Sequence, residues 1–212
     1  MSETVSDPLK VLARIREGRE VVKVRAGEVC ELCGVQIPDE HGHLVDVKAR
    51  ALMCSCRGCY LLFTPDGAGG DHYRAVPERY IAFTDFRLSP AQWDGLQIPV
   101  SVAFFFVNSE LGRVAAFYPS PAGATESLLS LETWAEVTAS NPELATILPD
   151  VEAFLVRQEK NSGGNAECFL VPIDSCYELV GQLRKLWRGF DGGTEARAAV
   201  EQYFEEVRRR AR

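Results

Sequence analysis

Long apolar runs and basic charge are what this sequence has least of. Its longest uninterrupted apolar stretch is VAFFFV at 102–107. That is far short of the ~18 residues a membrane-crossing helix needs, and it suits a buried strand. No membrane insertion is expected. Acidic residues outnumber basic ones, 30 to 23, for a net charge of −7. Binding a phosphate backbone takes clustered Lys and Arg, so the charge balance argues against nucleic acid as a partner. The one dense basic tract, RRRAR at the C-terminus, ends a predicted helix, where positive charge complements the helix dipole.

Catalytic signatures are scarce as well. There are only three histidines, His41, His43 and His72, so a hydrolytic triad has few candidate bases. The sequence contains no GxSxG elbow, no GxxxxGKS/T phosphate loop and no GxGxxG after a strand. The glycine-rich DGAGGD at 66–71 reads as a linker, which places His72 in an exposed connection. The N-terminal segment is polar and has no signal-peptide core. The expected location is therefore the cytoplasm. Thiols stay reduced there, so paired cysteines signal metal or redox chemistry and not structural disulfides.

Cysteine is what the sequence does have. Of seven cysteines, five fall between positions 30 and 59: Cys30 and Cys33 in CELCG, then Cys54, Cys56 and Cys59 in CSCRGC. Two C-x2-C turns brought together by a hairpin make the four-thiolate site of zinc ribbons and rubredoxins. The matched quartet is Cys30, Cys33, Cys56 and Cys59, with Gly34 suited to the tight turn of a knuckle. Cys54 precedes Cys56 by two, so in an extended strand both side chains leave one face. Cys54 is then a small buried thiol or an extra or alternate ligand, and His41 and His43 read mainly as hairpin residues. Spacing does not separate zinc from iron in a tetrahedral four-sulfur site. Rubredoxin-like carriers show a glycine after both knuckles and an aromatic shell. Here Tyr60 follows Cys59, and the aromatics within 21–65 are Tyr60 and Phe63. Zinc is the expected metal, iron the alternative.

The pattern predicts an α+β protein: a small four-cysteine metal ribbon of short antiparallel strands, followed by a mixed α/β domain ending in two helices. Residues 1–20 form an N-terminal helix with Leu9, Val11, Leu12 and Ile15 on one side. The metal domain spans 21–65, with strands at VVKVRA, HLVDVKA, RALMCS and YLLF. A linker covers 66–77, and the α/β domain covers 78–212. In that domain RYIAFTDF and the segment around VAFFFVNSELGRVAAFYP carry strand patterns with a hairpin at NSELG. A helix over 130–148 breaks at Asn141-Pro142, and 150–158 reads as helix or strand. ECFLVPI is a buried strand. A helix capped by Asp174 or Ser175 follows and stops near DGG, and a last helix is capped by Thr194.

On the helix that follows Pro172, Cys176, Leu179, Val180, Leu183, Leu186 and Trp187 keep a 3.6-residue spacing, which makes Cys176 a core residue. The same position, in a first helical turn, would alternatively suit a reactive thiol. Cys168 reads as a buried strand residue. Arg184, Lys185 and Arg188 form a cationic counter-face. Arg184, Trp187 and Arg188 at the corner LRKLWRGFDGG are candidate partner-binding residues, because Trp and Arg are enriched at interface hot spots.

CELCG…HLVDVKARALMCSCRGCYLLF together with FLVPIDSCYELVGQLRKLWRGFDGG resembles an uncharacterised bacterial family encoded beside uptake NiFe-hydrogenase genes, notably in actinobacteria. The resemblance covers nearly the whole chain. It implies a hydrogenase-linked accessory protein and transfers no residue role beyond the cysteine knuckles. The expected function is that of a non-enzymatic zinc-ribbon accessory protein. It would bind a protein partner, such as a hydrogenase subunit or maturation factor. The alternative is a rubredoxin-like electron carrier with mononuclear iron at the same cysteines. An enzyme working from Cys176 or the 66–74 loop is the weakest reading.

Overall fold

The computed structural model describes residues 29–65, 67–158, 166–189 and 192–211. The N-terminal helix and the VVKVRA strand expected from the sequence lie outside these residues. The chain is α+β. Its first unit is a hairpin of β1 (Gly42–Asp46) and β2 (Ala51–Ser55), turned where the Ala49 N–H donates to Asp46 Oδ1 at 2.8 Å. β2 runs into α1 (Arg57–Leu62), and β3 (Tyr73–Ala75) returns to pair with β1 in an antiparallel sheet of order β2-β1-β3.

Two features here differ from the sequence reading. YLLF, expected as a strand, is the end of α1. Four apolar residues fit either period, and the choice is made locally by the Cys56 sulfur, which accepts the Cys59 N–H at 3.4 Å and starts a helical turn. Leu61 and Leu62 consequently face solvent. The segment assigned to a linker also carries β3, and His72 within it is half-buried, its Nε2 3.1 Å from Asp46 Oδ1.

The rest of the chain builds one six-stranded sheet in the order β4-β9-β8-β5-β6-β7, with every neighbouring pair antiparallel. In chain order its elements are β4 (Ile81–Ala82), α2 (Pro90–Gly95), β5 (Val102–Asn108), β6 (Arg113–Ser120), β7 (Gly123–Glu126), α3 (Leu131–Ser140), β8 (Glu152–Gln158), β9 (Ala166–Pro172), α4 (Ile173–Leu186) and α5 (Gly193–Arg210). The NSELG hairpin joins β5 to β6, a 3-10 turn at Pro142–Thr146 follows α3, and the segment read as helix or strand over 150–158 is a turn leading into β8. α2 escaped the sequence reading, although SPAQ carries a capping box: Gln92 N–H donates to Ser89 Oγ, and Ser89 N–H to Gln92 Oε1. Two expected caps shift. β9 passes directly into α4 with Pro172 as N-cap, so Asp174 falls in the first turn. α5 starts at Gly193 after Gly192, whose φ of 86° a glycine tolerates, and Thr194 lies inside the helix.

VAFFFV is apolar throughout because both of its faces are covered. Val102, Phe104 and Phe106 point into one core with Ala153, Leu155, Phe169 and Val171, under α4 and α5. Ala103 and Phe105 point into the other with Phe154, Val156, Cys168 and Leu170, under α2 and α3. The small sheet belongs to the first core, where Val45, Val47 and Val76 join Phe104, Ile173 and Leu179. No described helix is long and apolar enough to cross a membrane.

Ion pairs lock the small sheet's exit to β8. Arg74 on β3 donates to Asp150 Oδ2 at 3.1 Å, while Ser109 donates to the same carboxylate through its N–H and its hydroxyl. Arg79 grips Glu152 with two bonds of 2.7 and 2.6 Å, and the Leu148 N–H adds a third at 2.8 Å. Glu152 is 0% exposed. Removing one partner of a buried pair strands the other charge, at a cost of roughly 3–5 kcal/mol. Arg79 keeps some solvent contact, so Arg79→Ala should lose about 3 kcal/mol by denaturant titration, with an unchanged m-value. A loss near zero would mean that water reaches Glu152.

Candidate metal centre

The first knuckle is a tight turn between bridged Val29 and Gln36. The Cys30 N–H donates to the Val35 carbonyl at 2.8 Å, and the Gly34 N–H to the Cys30 carbonyl at 2.8 Å. Gly34 sits at φ 75°, the left-handed conformation the turn demands. A seam then staples this knuckle beside β2. The Glu31 N–H donates to the Cys54 carbonyl at 3.0 Å, and the Cys54 N–H returns to Glu31 Oε2 at 2.9 Å. The second knuckle is the passage from β2 into α1, which carries Cys56 as N-cap and Cys59 in the first turn. The spacing predicts two C-x2-C turns brought together by a hairpin, and the β1–β2 hairpin does bring them together. The structure has one hairpin knuckle and one strand-to-helix knuckle.

Together they bring the sulfurs of Cys30, Cys33, Cys56 and Cys59 within 4.8 Å of one another, with Cys33 and Cys56 at 3.7 Å. A tetrahedral ion with metal–sulfur bonds of about 2.3 Å spaces its sulfurs about 3.8 Å apart. Thiols this close cannot all ionise without a compensating cation. Burial raises the Cys30 thiol, but the N–H groups of Cys56, Cys33 and Leu32, with help from the Cys33 thiol, outweigh it and hold Cys30 at about 6. Cys59 is pushed up to about 12 by its hydrogen bond with Cys33, by burial, and by Cys56 and Cys30. One thiolate is thus favoured and another opposed, a conflict that a bound cation removes. The donor set fits a metal ion that prefers soft thiolates, and zinc and iron both qualify.

The other residues singled out in the sequence fall elsewhere. Cys54 is outside the quartet: it faces His43 across the β1–β2 ladder, and its sulfur groups with ring nitrogens of His41 and His43 within 4.8 Å. The sequence reading treated those histidines as hairpin residues. The pairing of HGH with CSC across a hairpin was the available signal. Cys176 is fully buried in the first core, as a core residue of its helix, and burial and the nearby Asp174 carboxylate push its thiol well up. Cys168 is buried in the second core, as expected. Arg184 and Arg188 are exposed at the end of α4, and Trp187 is its half-buried C-cap, donating from Nε1 to the Gly189 carbonyl at 3.0 Å.

No curated protein and no solved structure matches the chain. One family profile does, over residues 29–211, a span that takes in both knuckles, both sheets and the two C-terminal helices. The chain therefore belongs to a family of unknown function, DUF5947.

Proposed function

We propose that this protein is a zinc-binding accessory protein that acts by docking on a protein partner. One observation carries the reading: four cysteine sulfurs gathered within 4.8 Å, one pair already at the tetrahedral edge length. A four-thiolate ion is coordinatively closed and activates no water, so its work is to hold the knuckles in shape. Zinc is favoured over iron because Tyr60, not glycine, follows Cys59 and because Tyr60 and Phe63 are the only aromatics close in sequence. The sequence resemblance to a family encoded beside hydrogenase genes supports a hydrogenase subunit or maturation factor as the partner. The candidate surface is the α4 corner of Arg184, Trp187 and Arg188, with the knuckles as a second contact. Reduced thiols at the metal site favour a cytoplasmic setting.

Elemental analysis of protein purified without added metal should find zinc and a colourless solution. The red absorption of ferric four-sulfur iron would overturn zinc and favour the electron carrier. Thiolate–zinc binding supplies folding free energy on the order of 10 kcal/mol. Cys30→Ser or Cys59→Ser should therefore lose this ion and open residues 29–65 to proteolysis before the six-stranded sheet, whereas Cys54→Ser should keep it. Equal protease resistance of Cys59→Ser and wild type would contradict this. An affinity capture from cells expressing hydrogenase genes should recover a hydrogenase component with the wild type and much less with Arg184→Glu/Arg188→Glu. Recovery of none sinks the partner assignment, and equal recovery moves the interface away from the α4 corner.

A further inference from the structure

His41 and His43 lie two residues apart on one face of the chain entering β1, and Cys54 stands directly opposite His43 on β2. A ring nitrogen of each histidine and the Cys54 sulfur lie within 4.8 Å of one another. Zinc bonds of about 2.0–2.3 Å to nitrogen and sulfur would place such donors about 3.3–3.7 Å apart, so rotations on the order of 1 Å close the trio around an ion.

Each ring already has one nitrogen engaged by a hydrogen bond. His41 Nδ1 lies 2.9 Å from the Pro38 carbonyl, which can only accept, so Nδ1 carries the proton. His43 Nδ1 lies 2.8 Å from Asp174 Oδ2 and donates to that carboxylate. Each ring then keeps its lone pair on Nε2. His41 Nε2 is buried without a hydrogen-bond partner among the described residues, a costly condition for a buried acceptor. Metal-bound histidines characteristically donate their other N–H to a carboxylate or a backbone carbonyl, and here one does each. The mounting is rigid. A Cβ at Gly42 would fall 2.6 Å from the Tyr60 ring, so the HGH segment lies flush against α1, and the Tyr60 hydroxyl is fixed by donation to the Val76 carbonyl at 2.8 Å.

We propose that His41, His43 and Cys54 form a second metal site, separate from the four-thiolate centre, that takes a divalent ion of the zinc class. Asp174, reaching from the first turn of α4, is its positioning residue. The site has three protein ligands, and two of them, His41 and His43, line a cleft of about 1280 Å³ together with Tyr60, Glu78, Tyr80 and Arg210, from which a small ligand could reach a fourth position. Three-ligand zinc keeps its fourth position for water or for a small ligand that displaces it. The thiolate quartet lacks that capacity. The site stands on its own geometry and does not depend on which metal fills the quartet.

The test adds Co²⁺ to the full chain as purified, with its thiolate centre loaded, and follows visible and near-ultraviolet absorption. The expected result is tetrahedral cobalt absorption with charge transfer from a thiolate, abolished in His41→Ala and in His43→Ala while both variants retain the ion of the quartet. That retained ion shows that the knuckles are folded. Asp174→Ala should weaken cobalt binding about 10–100-fold without touching the quartet. Wild type without tetrahedral cobalt absorption overturns the site, as does absorption that survives either histidine substitution, which would place cobalt among the four thiolates. A chain that holds no ion in the quartet refutes the accessory-protein reading, yet the histidine comparison still decides this site.

Discussion

A six-stranded sheet that is apolar on both faces must be covered twice, and the rest of this structure follows from that requirement. α2, α3 and the 3-10 turn cover one face, and α4 with α5 covers the other. The helices do not cover all of the second face, and the small cysteine-bearing sheet completes the cover with Val45, Val47 and Val76. Burial of apolar area contributes roughly 25 cal/mol per Å², so even three valines fix where the cysteine-bearing sheet sits. It is therefore part of the core and not an appended module.

The polar contacts at this junction follow from the packing. Once the small sheet's exit packs near the start of β8, Arg74 meets Asp150 and Arg79 meets Glu152. Once β1 lies against the start of α4, His43 meets Asp174 across 131 positions of sequence. Pairs of this kind add little net stability over apolar contacts, but leaving one half unpaired is expensive, so they select a single docking arrangement.

The chemistry is concentrated at the same junction. The four-cysteine cluster closes one end of the hairpin, and an ion held by all four sulfurs would keep no free coordination position. A few residues away, the histidine pair lines the cleft against α4, with Cys54 opposite His43 on the neighbouring strand. A structural ion that stiffens the hairpin would hold that second group in place, as a site built on rigid elements requires.

Much of the local chemistry was legible in the sequence, although the SPAQ capping box that starts α2 went unread. The C-x2-C spacing picked out the quartet, the VAFFFV run a buried strand, and Asn141-Pro142 the end of α3. Misreadings arose where two local solutions are nearly equal in energy and one contact chooses between them: YLLF became helix through the Cys56 cap, and the start of α4 moved to Ile173 because β9 runs straight into it. The joining of His41, His43 and Cys54 left one trace in the sequence, HGH and CSC on the two arms of a hairpin, and its link to Asp174 left none. It depends on the β1–β2 register and on where α4 packs, and both are set by burying Val45, Leu52 and Ile173 in one core, a long-range constraint that no window of neighbouring residues contains.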